Sequence, residues 1–336
     1  MNNNIIPFDK ATLQSYFSPR SGEVKLGESI STLDAEDWRT WLRHTAADII
    51  ILGAPEDIGV RANHGIGGAD TAWQSFLSAF LNIQYNKFFP LDRVGLLGTL
   101  NVAKLMEDCT ADASIAALRA ATEQVDELLA PVIEYIVSLG KIPVLIGGGH
   151  NNAYPLLKGL SMGKNAPINV INMDAHADFR ALEGRHSGNG FSYAKYDGYL
   201  NRYAALGLQH AYNNTAMVQA FEEQCDLLAI WWEDIYLSKK FTFETALAAG
   251  LQHVNDGYFG IELDLDCLQD TLSSAQTPMG FSRIDAISYI YTAARDAHAA
   301  YLHITEGVFV RKDGLQFAMI GKLISYLVQA FVKAKM

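Results

Sequence analysis

The residues best placed to do chemistry lie in Asn172-Met173-Asp174-Ala175-His176-Ala177-Asp178, where two carboxylates and an imidazole occupy alternate positions at the end of an apolar run. In an extended backbone alternate residues point to one side, so this spacing predicts that three metal-ligating groups converge. Two further segments end hydrophobic runs in the same way: Gly147-Gly148-Gly149-His150 upstream and Asp264-Leu265-Asp266 downstream. The candidate ligands are therefore His150, Asp174, His176, Asp178, Asp264 and Asp266. A mostly hard set without thiolates favours Mn²⁺ or a similar divalent ion over structural zinc. Two ions sharing bridging carboxylates would lower the pKa of a water between them, giving a hydroxide that attacks an electrophilic carbon at neutral pH. Ordinary strand-end acids and histidines bonded to nearby backbone would explain any one of these residues, but poorly explain six at equivalent positions.

The elements that must position them are apolar, β-rich runs: Asp48 to Pro55, Ile142 to Gly147, Ile168 to Met173, Leu227 to Trp232, Tyr258 to Leu265 and Ala300 to Thr305. Continuous apolar runs predict strands covered on both faces. Between the first two, Ile115, Leu118, Val125, Leu129, Val132 and Ile136 repeat at helical spacing, with Gly140 as the stop. Gln316 to Lys335 reads as a closing amphipathic helix. Strand and helix in alternation predict a mainly parallel sheet wrapped by helices on both sides, and such sheets collect ligands at the carboxyl ends of their strands. No Pro/Gly/Ser-rich linker divides the chain, so 1–336 is read as one domain, its first 45 residues an irregular, partly extended N-terminal arm. Phe191 to Val218, rich in Tyr, Asn and Gly, reads as a long active-site or surface loop with a short helix.

Composition narrows the setting. With 336 residues and 49% hydrophobic content the chain can bury a sizeable core. A formal charge of −11, with no basic, aromatic-laced stripe, argues against a nucleic-acid partner. No run approaches the roughly 18 apolar residues of a membrane span, and Met1-Asn2-Asn3-Asn4 lacks the plan of a signal peptide, so no membrane partner and a cytoplasmic location are expected. Cys109, Cys225 and Cys267 are odd in number and far apart, which argues against a disulfide framework and reads as buried spectators. Cys267 follows Asp266 but has no neighbouring His, so it too is read as a spectator and not a nucleophile. Gly65-Ile66-Gly67-Gly68-Ala69-Asp70 lacks the third glycine of a dinucleotide-binding turn. The oligomeric state is left open, a homo-oligomer included.

The three motifs, in this order and spacing, resemble those of the ureohydrolase family of arginases, agmatinases and formimidoylglutamases: Gly-Gly-x-His, Asp-Ala-His-x-Asp and Asp-x-Asp. The likeness runs from about Ile50 to Glu306. It implies a pair of manganese ions, one held by His150 and Asp178, the other by His176 and Asp266, with Asp174 and Asp264 bridging. It also implies a three-layer α/β/α sandwich with a central, mainly parallel eight-stranded sheet. There are departures. Gly149 stands where many members carry an acid, so an acidic group behind the first ligand is lost. Cys267-Leu268-Gln269-Asp270-Thr271 replaces an Asp-Pro loop, and Phe191 takes the place of the proton-shuttling His that follows the Ser-Gly-Asn loop in arginases. His186 is either its substitute or a surface histidine. Gly53 to Gly65 resembles the family's opening glycine-rich segment, its glycines read as serving tight turns near the pocket.

The family cleaves a C–N bond at an amidine or guanidine carbon, so specificity lies in what holds the rest of the substrate. Arg180 and Arg185 fall in the loop after Asp178, and two guanidinium groups suit a substrate with more than one carboxylate. N-formimino-glutamate has two carboxylates; arginine has one and an ammonium. Asp178-Phe179-Arg180 resembles formimidoylglutamases, where arginases tend to have Asn. A solvated loop charge, or an ion pair with Glu183, is the alternative for each arginine. Ser187 and Asn189 match the loop that contacts the substrate carboxylate in arginases. Glu306 aligns with the glutamate that grips the amidinium, against the alternative of an exposed strand-end acid. The resemblance thus implies a manganese hydrolase cleaving N-formimino-L-glutamate to glutamate and formamide in histidine breakdown, with Asp178 and the ions stabilising the tetrahedral intermediate. Arginine or another guanidine or amidine is the second substrate reading. A catalytically silent regulatory relative is the third, opposed by the presence of all six ligands.

Overall fold

A computed structural model describes residues 4–33 and 37–336; the parts of the expected N-terminal arm at 1–3 and 34–36 lie outside the described residues. Nine strands form one sheet: β1 (Ile5–Pro7), β2 (Ile49–Gly53), β3 (Val94–Leu100), β4 (Ile142–Ile146), β5 (Ile168–Met173), β6 (Leu200–Leu208), β7 (Leu227–Trp231), β8 (Phe259–Asp264) and β9 (Ala299–Thr305). Their order is β1-β3-β2-β4-β9-β8-β5-β6-β7. Eight strands run parallel, and β1 adds an antiparallel edge by pairing with β3.

The continuous apolar runs have the expected cause. Along β2, Ile49 and Ile51 enter the core on one side of the sheet, while Ile50 and Leu52 enter the core on the other. Val144 and Ile146 oppose Leu145 in β4 in the same way. One side is covered by helices Ala72–Phe80, Phe243–Val254, Arg283–Ala294 and Ile320–Ala334, which contribute Phe76, Leu247, Tyr289 and Leu327. The other carries Trp38–His44, Ile115–Ser138, Ala153–Lys164 and Thr215–Glu223, contributing Trp41, Leu129, Leu157 and Phe221. This is the expected three-layer sandwich. The long helix starts where Ser114 accepts from the Ala117 amide at 3.2 Å, and Gly140 lies just beyond its end.

Three elements depart from the sequence expectation. The segment read as a loop from Phe191 to Val218 contains strand β6 between helices Gly190–Tyr196 and Thr215–Glu223. β6 lacks β-branched residues and begins Leu200-Asn201-Arg202, so its composition hides a strand that burial on both faces enforces. β3 is interrupted by Gly95 and Gly98, which broke the apolar signal. The N-terminal arm is more ordered than expected: it adds β1, and Phe8, Leu13, Leu26 and Ile30 enter the core. Cys109 and Cys267 are buried as expected, but Cys225 is exposed beyond the end of helix Thr215–Glu223.

Candidate metal centre

The four central strands, β4, β9, β8 and β5, are adjacent and parallel, so the segments leaving their carboxyl ends meet at one rim. His150 opens a short helical turn after β4, Asp174 to Asp178 follow β5, Asp264 closes β8 with Asp266 just beyond, and Glu306 follows β9. Asp178 and Glu306 both adopt left-handed backbone, with φ of 45° and 61°. For non-glycine residues this conformation is rare and costs of order 1 kcal/mol or more, a strain typical of functional positions.

The six expected ligands converge as two clusters. In the first, Nδ1 of His150 lies 2.7 Å from Asp178 Oδ2 and 3.2 Å from both Asp174 Oδ2 and Asp264 Oδ2. In the second, Nδ1 of His176 lies 3.0 Å from Asp266 Oδ2 and 3.7 Å from Asp174 Oδ1. Asp174 therefore offers one oxygen to each cluster. Asp264 offers Oδ2 to the first and joins only that cluster, whereas Asp174 belongs to both; its Oδ1 accepts from the Asp266 amide at 2.8 Å. The convergence does not come from strand alternation, because β5 ends at Met173; the loop beyond it turns, fixed by the His176 amide on Asp174 Oδ1 (2.8 Å) and the Ala177 amide on Asn213 (2.9 Å).

The donor set fits a divalent cation. Both ring nitrogens of His150, fully buried, make no well-aligned hydrogen bond although Asp178 stands 2.7 Å from one and Glu262 3.4 Å from the other, and Asp266 Oδ1 has no partner. Leaving such atoms unsatisfied costs about 1–3 kcal/mol each. The crowded carboxylates strain the site further: burial and then Asp174 push Asp178 up to about 6, while burial and then Asp266 push Glu306 up to about 8. Burial, with Asp266 and Asp174 beside it, drives Asp264 well above the usual carboxylate range. Positive charge placed among these groups relieves both the repulsion and the missing partners.

Behind His150 lies a buried group that the motifs did not reveal. Glu262 Oε2 is 3.4 Å from His150 Nε2 and 2.6 Å from His303 Nδ1, and Tyr301 donates to Glu262 Oε1 at 2.5 Å. The signal was present: a carboxylate inside the apolar run Phe259-Gly260-Ile261-Glu262-Leu263 needs a partner. Burial opposes the charge of Glu262, but His303 and His150 outweigh it and hold the group at about 2.

A cavity of about 260 Å³ opens onto His176, Asp178, Asp264, Asp266 and Glu306. Arg180 and Ser187 line it, as expected; Asn63, Tyr212, Asn214 and Met217 line it unannounced. Tyr212 stacks on His176, with ring centroids 5.3 Å apart. Arg180 is half-exposed, its guanidinium 3.3 Å from Glu183, and Asn63 donates to Ser187 Oγ at 3.3 Å. Arg185 is elsewhere. It is buried, paired with Asp126 at 2.8 Å, bonded to Asn189 Oδ1 and the Asn151 carbonyl at 2.8 Å each, and packed on the rings of Tyr154 and Tyr193. Its donors are occupied by the scaffold, so it is not available to substrate.

Asn189 is likewise internal, its oxygen accepting from the His186 amide and its amide donating to the Gly184 carbonyl at 2.8 Å. His186 is not a surface residue: it is buried and does not line the cavity, with Nε2 3.1 Å from Glu183 and Nδ1 accepting from the Gly188 amide. Phe191 forms a wall under His150, its ring 5.2 Å away. The glycines of the opening loop permit close approach and not tight turning: a Cβ on Gly59 would stand 2.0 Å from Asn151 Oδ1.

The arginase-family model matches residues 47–305, from the start of β2 through β9. The chain belongs to the arginase family. A formimidoylglutamase of Chromobacterium violaceum is 31% identical over 240 residues, 69% of each chain. The fold of this arginase-family chain resembles that of the Trypanosoma cruzi formiminoglutamase solved with Mn²⁺ (TM-score 0.71, 20% identity, 93% of this chain and 98% of that one). It also resembles the formimidoylglutamase of Bacillus subtilis (TM-score 0.72, 16% identity, 94% and 93%). All six candidate ligands of this family member fall inside the matched stretch, and Glu306 lies one residue beyond it.

Proposed function

We propose that this chain is a manganese-dependent hydrolase that cleaves N-formimino-L-glutamate to glutamate and formamide. The observation that carries the reading is the cavity itself: its acids, Asp178, Asp264, Asp266 and Glu306, all lie at the ligand end, and its walls add Arg180 but no further carboxylate. Such a chamber suits a cationic amidinium at one end and an anionic tail at the other, and offers no carboxylate to a substrate's α-ammonium at that tail end. The likeness in sequence to a formimidoylglutamase supports the same choice.

His150 and Asp178 on one side, and His176 and Asp266 on the other, with Asp174 between them and Asp264 facing His150, would hold two manganese ions. When bound, these supply Lewis acidity and a nucleophilic water at neutral pH. The chain's own residues do the rest. Glu306 receives the amidinium N–H groups, holding the formimino carbon toward the ligand cluster. Arg180 binds a substrate carboxylate, with Ser187, Asn63 and Asn214 offering further hydrogen bonds. Water oxygen bonds to the formimino carbon, Asp178 stabilises the tetrahedral species, and the bond to the glutamate nitrogen breaks as that nitrogen takes a proton.

With N-formimino-L-glutamate as substrate, the proposed step belongs to histidine breakdown. The cytoplasm is the proposed location, supported by the free state of Cys109, Cys225 and Cys267. Among the described residues no helix is long and apolar enough to cross a membrane. The partners proposed are small amidines, with a homo-oligomer left open. A guanidine substrate such as arginine is the second reading, favoured by one observation: with Arg185 buried, the cavity keeps a single guanidinium. Assay of the manganese-loaded chain against both compounds decides. Turnover of formiminoglutamate is expected; turnover of arginine alone rejects the proposal, and binding of fewer than about one ion per chain revives the silent relative.

A further inference from the structure

Glu56 lies in the loop after β2 and has no exposed surface. Its Oε1 accepts from the Gly149 amide (3.1 Å), Asn151 Nδ2 (3.2 Å) and Asn152 Nδ2 (2.8 Å); its Oε2 accepts from the amides of Ile58 (2.7 Å) and Gly59 (3.4 Å). Three of these five donors come from residues flanking His150. The metal centre does not use Glu56 as a ligand, and its oxygens are already occupied by these contacts. Burying a carboxylate this completely is expensive unless donors surround it, and here the donors are supplied by the very segment that carries His150.

The glycine run makes room for this contact. Gly148 has φ of 77°, and a Cβ there would stand 2.8 Å from Glu56 Oε1 and 2.2 Å from Asn152 Nδ2. The opposite side of the same segment is held by Arg185, which donates to the Asn151 carbonyl at 2.8 Å and pairs with Asp126. Glu306 accepts from the amide of His150 itself at 3.1 Å. The turn 149–152 is thus gripped by an anion on one face and a cation on another.

We propose that Glu56 is the positioning residue for His150, and that it sets the affinity of the manganese ion on the His150–Asp178 side of the centre. Gly149 leaves this turn without an acid of its own, and Glu56 reaches in from a different strand end to supply one. The His176–Asp266 side makes no contact with Glu56 among the hydrogen bonds described, so the two ions respond differently. The inference rests on the two-manganese reading but not on the identity of the substrate.

The test is a Mn²⁺ titration of the full metal-free chain, followed by the paramagnetic resonance of free Mn²⁺, for the native protein and Glu56→Gln. The amide keeps the shape but cannot accept at its nitrogen, leaving loop donors unpaired. One of two sites is expected to weaken about 10–100-fold, with the other changing less than about threefold. Equal weakening of both sites, or no weakening of either, overturns the proposal. If Glu56→Gln does not fold, Asn152→Ala removes one donor instead and must show the same one-site loss; its absence overturns the proposal equally. A native chain that binds fewer than two ions rejects the two-manganese reading instead, which separates the two failures.

Discussion

Asp174 offers one oxygen toward His150 and the other toward His176, so a single side chain joins the two ligand clusters. The ligands were legible because they fall in three short motifs, each at a strand end. Arg180 and Arg185 were not distinguishable in that way. Five residues apart, they have opposite fates: the partner that captures Arg185 is Asp126, 59 residues upstream on a helix that packs from outside the loop. Arg180, paired with the exposed Glu183, is left facing the cavity. Replacing Arg180 by Asn is therefore expected to raise KM for formiminoglutamate about tenfold with kcat little changed, since a partly exposed charge-assisted contact contributes about 1.5 kcal/mol to ground and transition states alike. Steady-state kinetics check this, and an unchanged KM removes Arg180 from substrate binding.

At the scale of elements, the strands that carry the site were readable and their neighbours were not. β4, β5, β8 and β9 are continuous apolar runs because helices cover both faces. β6 satisfies the same burial with Ala204, Ala205 and Gly207, small residues that carry little β signal, so its composition resembles that of a loop. The contact of Glu56 with the His150 turn crosses more than 90 residues and leaves no local pattern. The loop Glu183–Asn189, which presents Ser187, is closed by His186. Burial, helped by Arg119 and Arg180 and opposed by Glu183, holds His186 down at about 4 against 6.5 for the free side chain. The unfolded chain therefore binds a proton between about pH 6.5 and 4 that the folded one does not, and this part of the stability is lost as pH falls through that window. Between pH 7 and pH 5 the loss amounts to about 2 kcal/mol. Urea unfolding at the two values is expected to show a drop smaller by that amount in His186→Gln; an equal drop means His186 does not carry it.

At the scale of the molecule, the sheet order is what makes a centre possible, since β4-β9-β8-β5 brings together loops from residues 150, 306, 264 and 174. Strand and helix in alternation predict a parallel sheet covered on both sides but no strand order, because order depends on which connections cross the sheet. The sheet takes strands from both ends of the described chain, and the closing helix Ile320–Ala334 packs on Ala72–Phe80, so we propose that the chain unfolds as one domain. Calorimetry of the metal-free chain is expected to show one transition, and Mn²⁺ at about 100 times its Kd to add about 2.7 kcal/mol of stability for each of the two sites it fills. Two separated transitions contradict the single domain. The most direct measurement of the central claim follows N-formimino-L-glutamate labelled with ¹³C at the formimino carbon, incubated with the manganese-loaded chain and observed by NMR. The account predicts that the label appears in formamide as glutamate is released in equal amount. Label that stays unreacted, or that appears in N-formyl-glutamate with release of ammonia, contradicts it.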